Sequence, residues 1–513
     1  MSMFAIIILH VVVFLNKLVY HIAERVNRSN PNRKDSIMAK KKNPIEVSFV
    51  NEPAAEVVTG SLVHIKTENH NILLDAGYYQ SADVLEDYRI NNRTLKSLKL
   101  KDIDFIILSH NHGDHIFYAP VLYKRNCQAK VLVPQQSTAV MKAMLEDCAH
   151  INERDAEYLT FRENKDYNPI FTKPDVAHFL KYVEECPTHK KIKLADDLFV
   201  EFIPSGHLLK GCQIILYIKV GGHTKKILYT GDLGNKYLQQ PFTEKFEPVS
   251  SADLVIAEAT YSGAKKSKIT QKERNNDYNL LRHLIEDKVM GEKCRLLIPV
   301  FAQARAESVL YLLYKMYAHK DFFKTNIYID SPLACKIFKI YTEIVSDEDK
   351  KVFNEMMRWK NVHFITEAKD SIELVASDEP CIILSSSGMC NNGRVKYHIK
   401  SLVSNPNALI LFTGYATEGS VAHQLKEQVP MVTIDGMEYE VKCKTYSLQS
   451  MSSHIPYFAM LEYYSSIHCN KLVLHHGNMD GKKQLKEDLD ELFEQKYLTT
   501  KVIVSDKDTI IEI

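Results

Sequence analysis

Apolar residues recur in short runs along the first half of the chain, and turn-forming residues separate the runs. Runs of this length that are rich in β-branched residues predict strands. The strands that they predict are 46–50, 61–66, 72–75, 104–109, 198–203, 213–220 and 226–230. Between the fourth and fifth of these, residues 137–181 are rich in Glu, Lys, Ala and Leu and predict helix. Mixed strands and helices indicate a layered α/β fold.

After residue 258 the pattern becomes a regular alternation of helices and strands, which is typical of βαβ units and a parallel sheet. The predicted elements are helices 272–289 and 304–317 and strands 295–300, 325–329, 381–384 and 408–412. The last two strands end in loops rich in Ser or Gly, where an open parallel sheet binds ligands. Three more strand-like segments suggest that the chain then returns to the first domain. They are 431–434, 438–446 and 471–474.

Composition favours more than one compact domain. The chain has 513 residues, of which 45% are hydrophobic and 25% are charged, whereas a single domain usually spans about 100 to 200 residues. Lys and Arg number 65 against 64 for Asp and Glu, so any positive surface for nucleic acid must be local. The ten cysteines form no CxxC pair and have no regular spacing. They predict free, buried thiols in a reducing cytoplasm rather than disulfides or a cysteine zinc site.

The N-terminal segment is apolar from residue 4 to residue 15 and polar afterwards. This run is too short to span a bilayer, which takes about 20 residues. A secretory signal would carry its positive charge before the apolar run. We therefore expect residues 1–37 to lie outside the fold and expect no stable membrane insertion. A helix that lies on a membrane surface is an alternative that the sequence leaves undecided.

The densest group of metal-binding residue types follows predicted strand 104–109. Residues 110–115 read His-Asn-His-Gly-Asp-His, which places three imidazoles and one carboxylate in six residues. Histidine nitrogens bind zinc well, and on a loop that leaves a strand, alternate residues can converge on one ion while the next two face a second. His207 and Asp232 each follow another predicted strand. Taken alone, a single His is more often a core residue, and an Asp after a strand is more often a turn former.

In this order, the motifs resemble those of the metallo-β-lactamase superfamily. That superfamily also has an early Asp, matched by Asp75, whose implied role is to accept a hydrogen bond from a ligand histidine. Glu258 in Ile-Ala-Glu-Ala-Thr-Tyr, His454 in Ser-Ser-His and His476 in His-His-Gly resemble motifs A, B and C of the β-CASP nucleases, the family of the mRNA 3′-end processing endonuclease. Other segments are similar to the bacterial members of that family. They are 155–158, 300–305, 330–334 and 385–389.

The resemblance runs from residue 45 to the last residue and implies a domain organisation. The implied fold is a metallo-β-lactamase αβ/βα sandwich with an inserted β-CASP α/β domain built on a parallel sheet. The first part of the metallo-β-lactamase domain would be 38–261, the β-CASP domain 262–445 and the C-terminal part of the metallo-β-lactamase domain 446–513.

The resemblance also implies a site with two Zn²⁺ ions and a shared water. The ligands of one ion would be His110, His112, His207 and Asp232, and those of the other would be Asp114, His115, Asp232 and His476. Glu258 paired with His454 would supply a proton to the leaving oxygen, and Asp114 belongs to the same catalytic set.

The loop after predicted strand 381–384 offers candidate phosphate contacts, because backbone N–H groups in such loops bind anions. The candidates are Ser385, Ser386, Ser387, Gly388 and Arg394. A tight turn and a surface arginine explain the same residues equally well.

The implied function is zinc-dependent hydrolysis of single-stranded RNA, by endonucleolytic cleavage, 5′-to-3′ exonucleolytic cleavage or both. The alternatives are a DNA-processing β-CASP nuclease, a non-catalytic RNA-binding scaffold and a small-molecule hydrolase. The DNA enzymes usually have Val where this chain has His476, scaffolds lose motif residues, and the long insertion between Glu258 and His454 disfavours a small substrate.

The chain departs from the family pattern at Ile455-Pro456 and Asn478, which could alter metal retention or rate. The sequence is also compatible with a homodimer.

Overall fold

The computed structural model describes residues 45–513 except for short gaps, and the prediction for residues 1–37 lies outside the described residues. The gaps are 51–55, 82, 94, 96–97, 238, 264–270, 415, 417–418 and 449.

The strands in chain order are β1 (Glu46–Phe49), β2 (Val63–Lys66), β3 (Asn71–Leu74), β4 (Phe105–Ile107), β5 (Lys130–Pro134), β6 (Val183–Cys186), β7 (Ile192–Lys193), β8 (Leu198–Pro204), β9 (Cys212–Val220), β10 (His223–Tyr229), β11 (Leu254–Glu258), β12 (Arg295–Pro299), β13 (Asn326–Asp330), β14 (Val362–Phe364), β15 (Cys381–Ser385), β16 (Ala408–Phe412), β17 (Met431–Ile434), β18 (Met437–Glu440), β19 (Lys444–Ser447), β20 (Lys471–His475), β21 (Lys501–Val504) and β22 (Ile510–Glu512).

The α-helices are α1 (Val84–Asn92), α2 (Gly113–Ile116), α3 (Ala119–Lys124), α4 (Thr138–Glu163), α5 (Lys173–Phe179), α6 (Gln271–His283), α7 (Arg305–Tyr317), α8 (Pro332–Ile344), α9 (Asp347–Met357), α10 (Ala368–Ala376), α11 (Val395–Leu402), α12 (Val421–Lys426), α13 (Tyr457–Tyr464) and α14 (Met479–Gln495). Short 3₁₀ turns cover Leu100–Asp102 and Leu180–Tyr182, and α6 continues as a π-helical segment, Leu284–Gly291.

Two seven-stranded sheets pack face to face, in the strand orders β22-β1-β2-β3-β4-β5-β6 and β21-β20-β11-β10-β9-β8-β7. The core between them includes Val47 and Ile72 of the first sheet and Val200 and Ile214 of the second, all 0% exposed. Each such side chain stabilises the fold by about 1.5–3 kcal/mol through burial. Helices α3, α4 and α5 cover the outer face of the first sheet, and α13 and α14 cover that of the second. The result is an αβ/βα sandwich.

A third sheet of six parallel strands has the order β14-β13-β15-β12-β16-β19. Strands β15 and β16 are buried at every residue, as a sheet covered on both faces requires. Helices α6 to α9 pack on one face and α10 to α12 on the other. The α/β class predicted from the sequence is confirmed, with its parallel sheet between two helical layers.

The expected return to the first domain at 431–446 is wrong. Strands β17 and β18 form a separate two-stranded sheet, and β19 pairs in parallel with β16 at the edge of the third sheet. The alternation of apolar residues predicts a strand but carries no information about the sheet to which it belongs. The chain returns at β20, which pairs in parallel with β11 of the second sheet.

The predicted helix 137–181 is divided by a bend. Helix α4 ends at Glu163, and the next residue, Asn164, adopts the left-handed conformation (φ 50°, ψ 43°). Helix α5 begins after Thr172, whose side chain forms a reciprocal capping box with Asp175. Local polar residues, rather than a change in hydrophobic pattern, therefore separate the two helices.

The prediction of free thiols is confirmed: all ten cysteines are described, none forms a disulfide, and nine are buried. Within the described ranges, no helix combines the length and the apolar character that crossing a membrane would take.

Candidate metal centre

The ends of strands from two sheets bring polar side chains to one edge of the sandwich. Strand β4 leads into the segment that carries His110 and His112, and β8 ends before His207. Strands β10 and β20 end just before Asp232 and His476. The ligand atoms of these side chains form compact groups, each within 4.8 Å. Residues that are far apart in the sequence thus meet because their strands end at the same place.

Glycines let the loops of this edge approach each other. A Cβ on Gly234 would lie 2.0 Å from the carbonyl oxygen of Gly206, and a Cβ on Gly77 would lie 1.6 Å from that of Asp114. Both distances are far below van der Waals contact. The loops that carry His207, Asp232 and Asp114 therefore need glycine at these two positions.

Asp232 lies between two groups of histidines. Its Oδ2 atom lies 3.5 Å from Nε2 of His110 and 3.7 Å from Nε2 of His207. The same His207 nitrogen lies 3.2 Å from Nδ1 of His112. These four side chains form the first group.

The other carboxylate oxygen of Asp232 faces the second group. Its Oδ1 atom lies 3.3 Å from Nε2 of His115 and 3.5 Å from Nε2 of His476. Oδ2 of Asp114 lies 3.5 Å from that His476 nitrogen and 4.0 Å from that of His115. One buried carboxylate therefore presents one oxygen to each group.

The side chains present fit a divalent metal centre. Ligands about 2.0–2.2 Å from a tetrahedral ion lie about 3.4 Å apart, and the separations of 3.2–4.0 Å within the two groups are close to that. Several atoms that face the centre of a group are buried and have no hydrogen-bond partner among the described residues, which is costly unless another ligand satisfies them. They are Nε2 of His110, His115 and His476 and Oδ1 of Asp232.

Burial also keeps the first group in its metal-binding form. It lowers the pKa of His112 to about 3 and lowers those of His110 and His207, so these imidazoles are neutral at physiological pH. For His115, burial acts in the same direction, but the carboxylates of Asp232, Asp75 and Asp114 outweigh it and raise the pKa. Negative charge is thus concentrated at the second group.

Asp75 lies behind the second group and holds His115. Its Oδ2 atom lies 2.6 Å from Nδ1 of His115, which leaves Nε2 to face the centre. The Ser109 backbone N–H and hydroxyl donate to the two oxygens of Asp75 at 2.7 and 2.8 Å, and the Tyr229 hydroxyl donates at 2.7 Å. The sequence analysis missed Ser109 and Tyr229. Ser109 directly precedes His110, and Tyr229 ends the strand that leads to Asp232.

The hydrogen bonds continue from Tyr229 through the core. Its hydroxyl lies 2.8 Å from that of Ser61, which lies 3.0 Å from Nε2 of His475. All three residues are buried. A buried series of hydrogen bonds therefore connects His475, the residue before His476, to Asp75 through Ser61 and Tyr229.

Replacing Tyr229 by Phe should weaken metal retention about 10-fold, because side chains that orient a ligand histidine typically contribute 10- to 100-fold to metal affinity. Competition with a chelator, followed by metal analysis, measures the effect. Tyr217→Phe is the matched control, since its hydroxyl donates to Glu201 at 2.7 Å on a neighbouring strand away from the site. Equal metal affinity in both variants would show that Tyr229 does not orient the centre.

Glu258 and His454 meet beside Asp232. Nδ1 of His454 lies 3.5 Å from Oε2 of Glu258 and 3.9 Å from Oδ2 of Asp232. The other oxygen of Glu258 accepts a hydrogen bond from the Leu233 backbone N–H at 2.6 Å. Glu258 is 2% exposed, and the His454 side chain is 19% exposed. One buried carboxylate thus contacts both the loop after Asp232 and an imidazole that solvent can reach.

Two segments of the chain match known family models. Residues 56–169 match the model of the metallo-beta-lactamase superfamily, and residues 306–425 match the Beta-Casp domain. The chain belongs to the β-CASP group of the metallo-β-lactamase superfamily. The second match covers most of the third sheet and its helices, and the first covers the segment that carries His110 to His115.

Curated relatives are similar over most of this chain. It is 25% identical over 432 residues to "Ribonuclease TTHA0252" of Thermus thermophilus, covering 83% of this chain and 91% of the relative. It is 27% identical over 421 residues to the "RNase J-like protein" of Methanocaldococcus jannaschii, covering 81% and 89%. "Endoribonuclease ysh1" of Schizosaccharomyces pombe is 26% identical over 466 residues, covering 89% of this chain but 57% of the longer relative.

A crystal structure from Enterococcus faecalis V583, described as that of a protein of unknown function, is also similar. The TM-score is 0.50 at 12% sequence identity, covering 92% of this chain and all of the other. At this identity the likeness concerns the fold alone.

The β-CASP domain gives several of the candidate phosphate contacts other partners. Arg394 donates through Nη1 to Oδ1 of the buried Asp330 at 2.8 Å, and the Ser385 hydroxyl donates to the Asp330 carbonyl at the same distance. The Ser387 hydroxyl donates to the Asn392 carbonyl at 3.3 Å. These contacts hold the loop in place and occupy the Ser385 hydroxyl and Nη1 of Arg394.

Two candidates in this loop have fewer contacts. The Ser386 hydroxyl is buried with no hydrogen-bond partner among the described residues. Gly388 lies against the Phe301 ring, since a Cβ there would be 3.1 Å from a ring carbon. Ser386 and Gly388 stay candidate phosphate contacts. Arg394 was predicted to bind phosphate as well, but its ion pair with Asp330 disfavours that role.

Proposed function

We propose that the protein is a ribonuclease that hydrolyses phosphodiester bonds of single-stranded RNA with two Zn²⁺ ions. The observation that carries the proposal is the position of Asp232, whose two carboxylate oxygens face two separate groups of ligands at 3.3–3.7 Å. Relatives named as ribonucleases support an RNA substrate. In this proposal the first ion is held by His110, His112, His207 and Asp232, and the second by Asp114, His115, Asp232 and His476.

When bound, the two ions would lower the pKa of water and offset the negative charge of the attacked phosphate. The protein side chains would supply the remaining functions. Asp75 and Tyr229 would hold His115 in one tautomer, and Asp232 would fix the distance between the two groups. Cleavage would leave a 5′-phosphate and a 3′-hydroxyl.

His454 would deliver the proton that the leaving 3′-oxygen needs. Burial tends to lower its pKa, but the carboxylates of Glu258, Asp232 and Asp114 outweigh burial and raise it, which favours the protonated form. The negative charge of Glu258 would stabilise the protonated ring from the buried side. A positioned acid of this kind typically contributes 10²- to 10⁴-fold to rate.

The test is cleavage of a 5′-labelled single-stranded RNA and its DNA twin by protein of analysed zinc content. We expect about two zinc ions per chain, cleavage of RNA in preference to DNA, and loss of cleavage after chelation. The ladder of products separates endonucleolytic from 5′-to-3′ exonucleolytic cutting. Preferential DNA cleavage would contradict the proposal and favour the DNA-processing alternative, and bound zinc without cleavage of either strand would favour a scaffold.

The cytoplasmic location and the homodimer stay predictions from the sequence. Fractionation of cells that express the tagged chain tests the first, and sedimentation of the purified protein tests the second.

A further inference from the structure

The segment 450–454 connects the third sheet to the metal centre. It lies between β19, at the edge of the third sheet, and β20, in the second sheet, and it ends at His454. Apart from a single bridge between His454 and Gly234, its residues belong to no strand or helix. Its conformation must therefore be set by contacts with other parts of the chain.

Two residues on the helices of the third sheet bind the start of this segment. Oδ2 of Asp277, on α6, accepts hydrogen bonds from the Ser450 backbone N–H at 2.6 Å and from the Ser450 hydroxyl at 2.7 Å. Arg305, the first residue of α7, donates through Nη1 to the Met451 carbonyl. Asp277, Ser450 and Arg305 are each 6–7% exposed, so these contacts are shielded from competing water.

Residues of the sandwich bind the end of the same segment. Nε2 of Gln240 donates to the Ser452 carbonyl at 3.1 Å, and the Ser452 hydroxyl lies 2.8 Å from that of Tyr261. Nδ1 of His207 lies 3.3 Å from the Ser453 carbonyl. The segment is thus held from the third sheet on one side and from the metal centre on the other.

Among the described residues, Nδ1 of the His454 ring has no hydrogen-bond partner. Its polar neighbours are Glu258 at 3.5 Å and Asp232 at 3.9 Å, both longer than a good hydrogen bond. Its other neighbours are the rings of His207 and Tyr261, with centroids 4.4 and 5.6 Å away. The backbone that carries His454 must therefore supply most of its placement.

We propose that Asp277 and Arg305 are positioning residues that tie the placement of His454 to the packing of α6 and α7 against the segment 450–454. His454 can then deliver its proton to the leaving oxygen only while Asp277 and Arg305 hold Ser450 and Met451. The inference rests on the proposed function, in which His454 supplies that proton. Substitution of either residue should therefore slow hydrolysis of a substrate with a poor leaving group. It should not slow hydrolysis of a substrate whose leaving group departs without a proton.

The experiment compares two substrates in the full-length protein loaded with zinc. Single-stranded RNA has a poor leaving group, whereas bis(p-nitrophenyl) phosphate releases a stabilised phenolate. With Asp277→Ala we expect kcat on RNA to fall about 10- to 100-fold, since a misplacement of about 1 Å costs about that much. The KM for RNA, the zinc content and the hydrolysis of the nitrophenyl substrate should stay near those of the wild type.

Graded variants separate positioning from folding. Asp277→Asn keeps one acceptor oxygen and should recover part of the rate on RNA, and Ser450→Ala removes only the hydroxyl contact and should give a smaller loss. Asp253→Asn is the matched control, because Asp253 also accepts a hydrogen bond from a backbone N–H, that of Lys226 at 2.8 Å. Asp253 precedes β11, whereas Glu258 lies at the opposite end of that strand, so the control lies away from the metal centre. If Asp277→Ala does not fold, the Asn and Ser450 variants carry the test.

The outcomes are distinct. Parallel loss of both activities together with zinc would overturn the inference, because Asp277 would then only stabilise the fold. Unchanged cleavage of RNA by Asp277→Ala would overturn it as well. Failure of the wild type to cut RNA would instead contradict the proposed function.

Discussion

Replacing Asp232 by Asn should abolish RNA cleavage, with a loss of at least about 10³-fold, and should lower the bound zinc. The physical reason is that Asp232 presents one oxygen to each group of histidines, at 3.3–3.7 Å, so no other carboxylate of the described site serves both groups. The substitution removes a charge without changing the size of the side chain. Metal ions contribute several kcal/mol of transition-state stabilisation, and about 1.4 kcal/mol corresponds to a factor of ten in rate.

Metal analysis and the initial rate of RNA cleavage, measured on the same preparation, check this prediction. Asp197→Asn is a suitable control, because Asp197 also lies beside a histidine, with Oδ1 2.8 Å from Nε2 of His70, but at a partly exposed position outside the centre. Full zinc content and an undiminished rate in the Asp232 variant would contradict the bridging role. Full zinc content with no activity would mean that Asp232 acts on the reaction rather than on metal retention.

The parts of the site that the sequence predicts are those where chemistry is concentrated in short motifs after strands. His110, His112, Asp114 and His115 lie within six consecutive residues, and the structure places all four in the two groups around Asp232. The carboxyl ends of neighbouring parallel strands lie at one edge of a sheet, so a motif after such a strand has a predictable location.

Contacts between distant residues could not be predicted in the same way. Arg394 follows a Ser/Gly-rich loop and was expected to face a phosphate, but its partner Asp330 is 64 positions away and belongs to another strand. Asp277 and Ser450 are 173 positions apart. From the sequence alone, a polar residue in a helix is predicted to face solvent. Only the tertiary structure shows that it is buried beside a distant partner.

The same limit explains the error at residues 431–446. The sequence pattern predicts strands there, and strands β17, β18 and β19 form. Which sheet a strand joins depends on packing with neighbours distant in the chain, and β19 pairs with β16 at the edge of the third sheet. Element type is thus a local property, whereas sheet membership is not.

Replacing His454 by Ala should lower kcat on RNA about 10²- to 10⁴-fold, the usual contribution of a positioned acid. The zinc content should change little, because the nitrogen of His454 lies 3.9 Å from the nearest oxygen of Asp232 and the two ligand groups are complete without it. Hydrolysis of bis(p-nitrophenyl) phosphate should also persist, because its leaving group needs no proton. The two substrates together measure proton delivery separately from metal chemistry.

The pH profile gives this prediction a second readout. The pKa of His454 is raised, since burial is outweighed by Glu258, Asp232 and Asp114, so the protonated ring persists to higher pH than that of an ordinary histidine. The wild-type rate on RNA should therefore fall on the alkaline side as this proton is lost, and the Ala variant should lack that limb. His150→Ala, at a side chain that is 59% exposed on α4, serves as the control. Equal losses on both substrates would instead mean that His454 maintains the metal centre and that the proton comes from another group.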